Sequence, residues 1–165
     1  MLGFDYNSSK VSGISQTYLL NKMKEQLKER LSSKDSFNLI FSNLFIETYS
    51  EKWLPADPET IDATFANLPT NPIAEYSNLP SLLAAGIQFI NETGGAGTLL
   101  LAASNDDFDE VQSANTLVED LMNLIGGNQI PINILDYQNQ NITGAWIGGQ
   151  YYRGNEYLYT NLSQL

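Results

Sequence analysis

Asp5, Asn7 and Ser9 occupy alternate positions in the run Asp5-Tyr6-Asn7-Ser8-Ser9, directly after an apolar start. One carboxylate, one amide and two serine hydroxyls within five residues form an oxygen-rich cluster. Donors of that kind suit a hard divalent cation such as Mg²⁺. Two later segments carry more of them. Tyr76-Ser77-Asn78-Leu79 precedes a helical pattern, and Ser104-Asn105-Asp106 closes an apolar run. Each segment also has a plainer reading. Asp, Asn and Ser at strand-to-helix turns cap helices. Asp106, Asp107, Asp109 and Glu110 ahead of a helix complement its dipole. A shared cation site requires that the fold bring the three segments to one place.

The hydrophobic pattern supplies elements that could do so. Leu2 to Tyr6 reads as a short buried strand. From Ser15 to Ser32 the pattern is helical, with Leu20, Met23, Leu27 and Leu31 on one stripe. On its surface Glu25 has one favourable neighbour, Lys28, and one unfavourable, Glu29, so surface pairing adds little. Phe37 to Phe41 and Phe45 to Tyr49 read as strands too close for a crossover helix, hence an antiparallel hairpin. Asp57 and Pro58 mark a helix start for the segment Glu59 to Asn67. Thr70 to Pro80 is a polar loop. Ser81 to Asn91 is a helix closed by Gly94-Gly95. Thr98 to Ala103 is an uninterrupted apolar strand, Val111 to Ile125 an amphipathic helix, and Ile130 to Tyr137 the next strand. Asn139 to Gly149 reads as a loop or short ordered turn, and Glu156 to Leu162 as the last strand.

Alternating strands and helices imply an α/β fold. The expected form is a doubly wound, mostly parallel sheet with one antiparallel edge strand and helices on both faces. Ligands in such sheets bind outside the carboxyl ends of the strands, where all three oxygen-bearing segments should lie.

On these motifs the chain resembles a von Willebrand factor type A (VWA) domain of bacterial type over nearly its whole length. In that family the first strand ends in D-x-S-x-S, a second loop supplies a Thr ahead of a helix, and a third supplies an Asp. Together they form a metal-ion-dependent adhesion site. The resemblance implies Mg²⁺ or Mn²⁺ held by Asp5, Asn7, Ser9, Ser77 and either Asn105 or Asp106, with one position open to a carboxylate of a partner. Asn7 stands where the family has Ser, Ser77 where it has Thr, and Asn105 brings an amide in place of a carboxylate. The site is therefore a degenerate one, and lower ligand charge weakens hard-cation binding. The family's last helix has no counterpart here. The expectation is one VWA-like domain over residues 1–165, excised from a longer protein and in contact with its other domains.

Composition narrows the chemistry. The 165 residues include no Cys and no His, which excludes disulfides, thiolate chemistry, Ser-His-Asp triads and the common zinc sites. The commonest general base is also absent. Net charge is −11, and six of the eight Lys/Arg fall between Lys10 and Lys34. That surface repels phosphate backbones and argues against nucleic acid. No apolar run is long enough to span a membrane. Sequons occur at Asn7, Asn91, Asn141 and Asn161, and a glycan on Asn7 would obstruct the cation cluster.

A phosphoryl-transfer enzyme of the haloacid-dehalogenase kind also places an Asp after its first strand, but needs D-x-D, and Asn7 stands at the second position. Gly94 to Gly97 lies before a strand, whereas a phosphate-cradling loop follows one. Trp146 to Asn155, rich in aromatics and Gly, reads as a hairpin packing its rings, or alternatively as a binding surface. Arg153 there is expected to anchor a nearby carboxylate. The expected function is a non-enzymatic module for a protein or glycan partner, extracellular or at a cell surface. The alternative is a purely structural domain with a vestigial metal site.

Overall fold

A computed structural model describes residues 1–5, 16–42, 45–68, 79–94, 96–104, 111–138, 144–147 and 150–153; for 5, 16, 103–104, 111–114, 134–138, 144–147 and 150–153 it describes the backbone. In chain order the elements are β1 (Leu2–Asp5), α1 (Gln16–Arg30), β2 (Ser36–Phe37), β3 (Leu39–Ser42), β4 (Ile46–Thr48), β5 (Leu54–Pro55), α2 (Pro58–Ala66), α3 (Leu79–Glu92), β6 (Leu99–Ser104), α4 (Val111–Ile125), β7 (Ile132–Gln138), β8 (Gly144–Ile147) and β9 (Gln150–Arg153).

The main sheet has the order β4-β3-β1-β6-β7. Its pairings are parallel except β3 with β4, which form the expected antiparallel edge. The central strands are apolar on both faces because both faces are covered. In β3, Leu39 and Phe41 face one core while Ile40 faces the other; in β6, Ala102 faces the first and Leu99 and Leu101 the second. The first core is closed by Leu20 and Met23 of α1 and Ile61 of α2. The second is closed by Leu82, Leu83, Ile87 and Ile90 of α3 and by Val118, Leu121 and Ile125 of α4.

Handedness explains this division. The crossover from β1 to β3 moves one way across the sheet, and that from β6 to β7 moves the other. Right-handed crossovers then put α1 and α4 on opposite faces. Gly3 permits a close approach in the second core: a Cβ there would lie 2.9 Å from Leu101 Cδ1. Gly126, at φ 64°, ends α4 in the left-handed conformation that favours glycine.

The strand expected over Phe37 to Phe41 is two strands. Asn38 interrupts it, so β2 pairs with β5 and β3 with β1. The short strand β5 has no periodic signal and was not expected. Helix α3 begins at Leu79, two residues before the expected start at Ser81. Lys28 pairs with Asp62 of α2 at 2.6 Å, whereas Glu25 pairs with Lys22, also at 2.6 Å. The tertiary partner replaces the expected Glu25–Lys28 pair. Part of the segment read as a loop over Asn139 to Gly149 enters the antiparallel hairpin β8–β9, in which Trp146 stands opposite Tyr151. The last strand expected over Glu156 to Leu162 lies outside the described residues.

Asp57 caps α2 as expected, accepting the Thr60 N–H at 2.8 Å and its hydroxyl at 2.7 Å. These bonds, the backbone one foremost, hold the Asp57 carboxyl below its ordinary pKa. Folding therefore favours the ionised form. The cap contributes fully above the unfolded-state pKa of about 3.9, and its contribution is lost as pH falls through the folded value. Asp57→Asn keeps a capping side chain that does not titrate. It should flatten the acid limb of stability against pH, measured by urea unfolding, while changing little at neutral pH.

Candidate functional site

β1 ends at Asp5 and β6 ends at Ser104. The two strands are parallel neighbours, with Phe4 opposite Ala102, so both carboxyl ends lie at one edge. Helix α3 leads back to the amino end of β6 at Leu99, so its own start at Leu79 lies at that same edge. The backbone thus brings together the residue after which Asn7 and Ser9 follow, the residue before which Ser77 comes, and the residue after which Asn105 and Asp106 follow. Sheet order also reverses between β1 and β6: the chain runs from β1 to β3 on one side and from β6 to β7 on the other. Ligands of open α/β sheets bind in the crevice at such a reversal.

Of the six expected site residues, the described set includes Asp5, at the end of β1. Asn7, Ser9, Ser77, Asn105 and Asp106 lie outside the described residues. Among the described residues no group of three or more His, Cys, Asp or Glu could hold a metal ion.

One further residue belongs to this edge. Ser42 ends β3 in register with Asp5. It is 1% exposed, and its Oγ is the buried side-chain polar atom among the described residues without a hydrogen-bond partner. Buried hydroxyls are ordinarily satisfied, so an orphan at a strand's carboxyl end marks where another polar group belongs. The rule that singled out Asp5, a polar residue closing an apolar strand, also applies to Ser42 after Leu39-Ile40-Phe41. It was missed because a lone Ser carries no motif.

Asn91, the second sequon, is committed to structure. Its Nδ2 donates to the Leu124 carbonyl at 2.8 Å and its Oδ1 accepts from Asn128 Nδ2 at 2.7 Å. A glycan on that nitrogen would break the bond joining α3 to the end of α4.

Among the described residues no helix is long and apolar enough to cross a membrane. No family model matches the sequence, and no curated protein matches it. A solved structure does match: the conserved hypothetical protein BatB from Bacteroides thetaiotaomicron, with a TM-score of 0.56 and 13% identity, over 99% of this chain and 83% of that one. At that identity the likeness bears on fold. Together with the strand order, it shows a doubly wound, mostly parallel α/β fold of the VWA/Rossmann kind.

Proposed function

We propose that this chain is a non-enzymatic interaction module that takes a protein or glycan partner at the carboxyl edge of its sheet, outside the cell or at its surface. The observation that carries the reading is the meeting of Asp5, Leu79 and Ser104 at the point where sheet order reverses. The donors flanking these anchors, Asp5, Asn7, Ser9, Ser77 and Asn105 or Asp106, bring only oxygen ligands. That chemistry fits Mg²⁺ or Mn²⁺, and the orphan Ser42 hydroxyl at the same edge supports a polar occupant. When bound, the ion supplies an open coordination position for a carboxylate oxygen of the partner.

Thermal melts in EDTA and in excess Mg²⁺, Mn²⁺ and Ca²⁺, for the wild type and Asp5→Ala, test the reading. A cation at a hundred times its dissociation constant stabilises by about 2.7 kcal/mol, a rise in Tm of roughly 5–10 °C for a chain of this size. The wild type should show that rise and Asp5→Ala should not. No rise with any of the three cations would favour a structural domain with a vestigial site.

A further inference from the structure

At the opposite, amino edge of the sheet lies a cavity of about 680 Å³. That volume is in the range of small-molecule sites, roughly 300–1,000 Å³. Its apolar wall comes from Leu2 and Leu100 near the starts of β1 and β6, from Met23, Leu27 and Leu31 on and just after α1, and from Phe37. Trp53 also lines it, fixed by an Nε1 hydrogen bond to Thr93 Oγ1 at 2.8 Å and an edge-on contact with Phe89.

The charges in the lining are unusual for this molecule. Further along α1, Lys22 pairs with Glu25, while Lys24 and Lys28 both pair with Asp62. Arg30 and Lys34, which line the cavity, meet no carboxylate among the described residues. The Arg30 Nε donates to Gln26 Oε1 at 2.9 Å, a neutral acceptor that leaves the guanidinium charge uncompensated. Asp35 also lines the cavity, but its carboxylate already accepts the Ser32 N–H at 2.8 Å and hydroxyl at 2.7 Å. In a chain of net charge −11, two unpaired bases beside an apolar cavity form a local positive site.

We propose that this cavity binds a small amphipathic anion, a medium-chain carboxylic acid, with its hydrocarbon chain against Met23, Leu27 and Leu100 and its carboxylate at Arg30 and Lys34. The apolar wall with two unpaired bases beside it matches a ligand that has one hydrocarbon end and one anionic end. Burial of the chain supplies affinity, and the two bases select the acid over a neutral analogue. The site is independent of the carboxyl edge and needs no metal.

Trp146→Phe leaves Trp53 as the single tryptophan, a reporter in the cavity wall. Decanoate should change its emission saturably, with one-to-one stoichiometry by calorimetry. The double variant Arg30→Gln/Lys34→Gln should weaken decanoate binding about tenfold and leave decanol binding unchanged. Both side chains are exposed, so far-UV circular dichroism should show the fold intact. Leu27→Trp, which narrows the apolar wall and is read by calorimetry because it adds a second tryptophan, should weaken both ligands. Equal affinity for decanoate and decanol with no effect of the double variant would overturn the proposal. So would the absence of saturable binding up to the solubility limit.

Discussion

Leu82→Ala is expected to destabilise the protein by about 2–5 kcal/mol, lowering Tm by roughly 5–20 °C. Leu82 is fully buried on α3, within the cluster formed by Ile40, Leu79, Leu99 and Leu101. Its Cδ2 lies 3.8 Å from the point where a Cβ on Gly3 would be, so it packs onto the backbone of β1 itself. Truncation removes apolar burial and leaves a space that α3 cannot close. The helix is held to the sheet elsewhere by Leu83, Ile87 and Ile90, and by Gly86 against Leu99. Urea unfolding should show a lower midpoint at an unchanged slope, the signature of lost stability rather than altered compactness. Met122→Ala is the control. Met122 is 51% exposed on α4, and its removal should cost no more than about 0.5 kcal/mol. A cost as small for Leu82 would mean that α3 does not pack onto β1 as described.

Periodic elements were legible in the sequence because their signals are local. The stripe over α1 is buried at Leu20 and Met23 and half-buried at Leu27 and Leu31. Helix α4 runs from Val111 to Ile125, the span its pattern marks. The Asp57-Pro58 start of α2 was legible because cap chemistry depends on adjacent residues. Elements specified by tertiary contacts were not legible. β5 is two residues long and exists because β2 lies opposite it. Lys28 bonds across to Asp62, 34 residues away, rather than along its own helix. The break within Phe37 to Phe41 is invisible to hydrophobic alternation, since Asn38 replaces one apolar position without disturbing its neighbours.

The candidate site divides in the same way. A polar run after a strand can be read from sequence, and the topology places the ends of β1 and β6 and the start of α3 at a single edge. What the pattern could not give is Ser42, whose significance lies in its burial and its register with Asp5. The amino-edge cavity was equally hidden. Leu27 and Leu31 read as core residues of a helical stripe, and nothing local shows that the space beside them stays open.

Asn38→Ala is the second large effect expected, a loss of about 3 kcal/mol. Asn38 is fully buried, yet every polar atom of its side chain is used. Its Nδ2 donates to the carbonyls of Ser50 at 2.7 Å and Lys52 at 3.2 Å, and its Oδ1 accepts the Leu39 N–H at 2.8 Å. Its own carbonyl accepts the Leu2 N–H at 2.9 Å. One side chain thus fastens the segment entering β5 to the junction of β2 and β3, beside the amino end of β1. Alanine leaves the buried Leu39 N–H unsatisfied and frees the segment that carries Trp53. Trp53 emission should therefore shift under native conditions, before global unfolding. Asn38→Asp separates the roles of the two atoms. The acceptor to Leu39 survives, but an ionised carboxylate would face the Ser50 and Lys52 carbonyls in a dry site. Burial and those carbonyls favour the neutral acid, which can donate to one of them. Asn38→Asp should consequently be less stable than Asn38→Ala at neutral pH and recover as pH falls. If the two variants were equally stable at every pH, the paired carbonyls would not be what Asn38 holds.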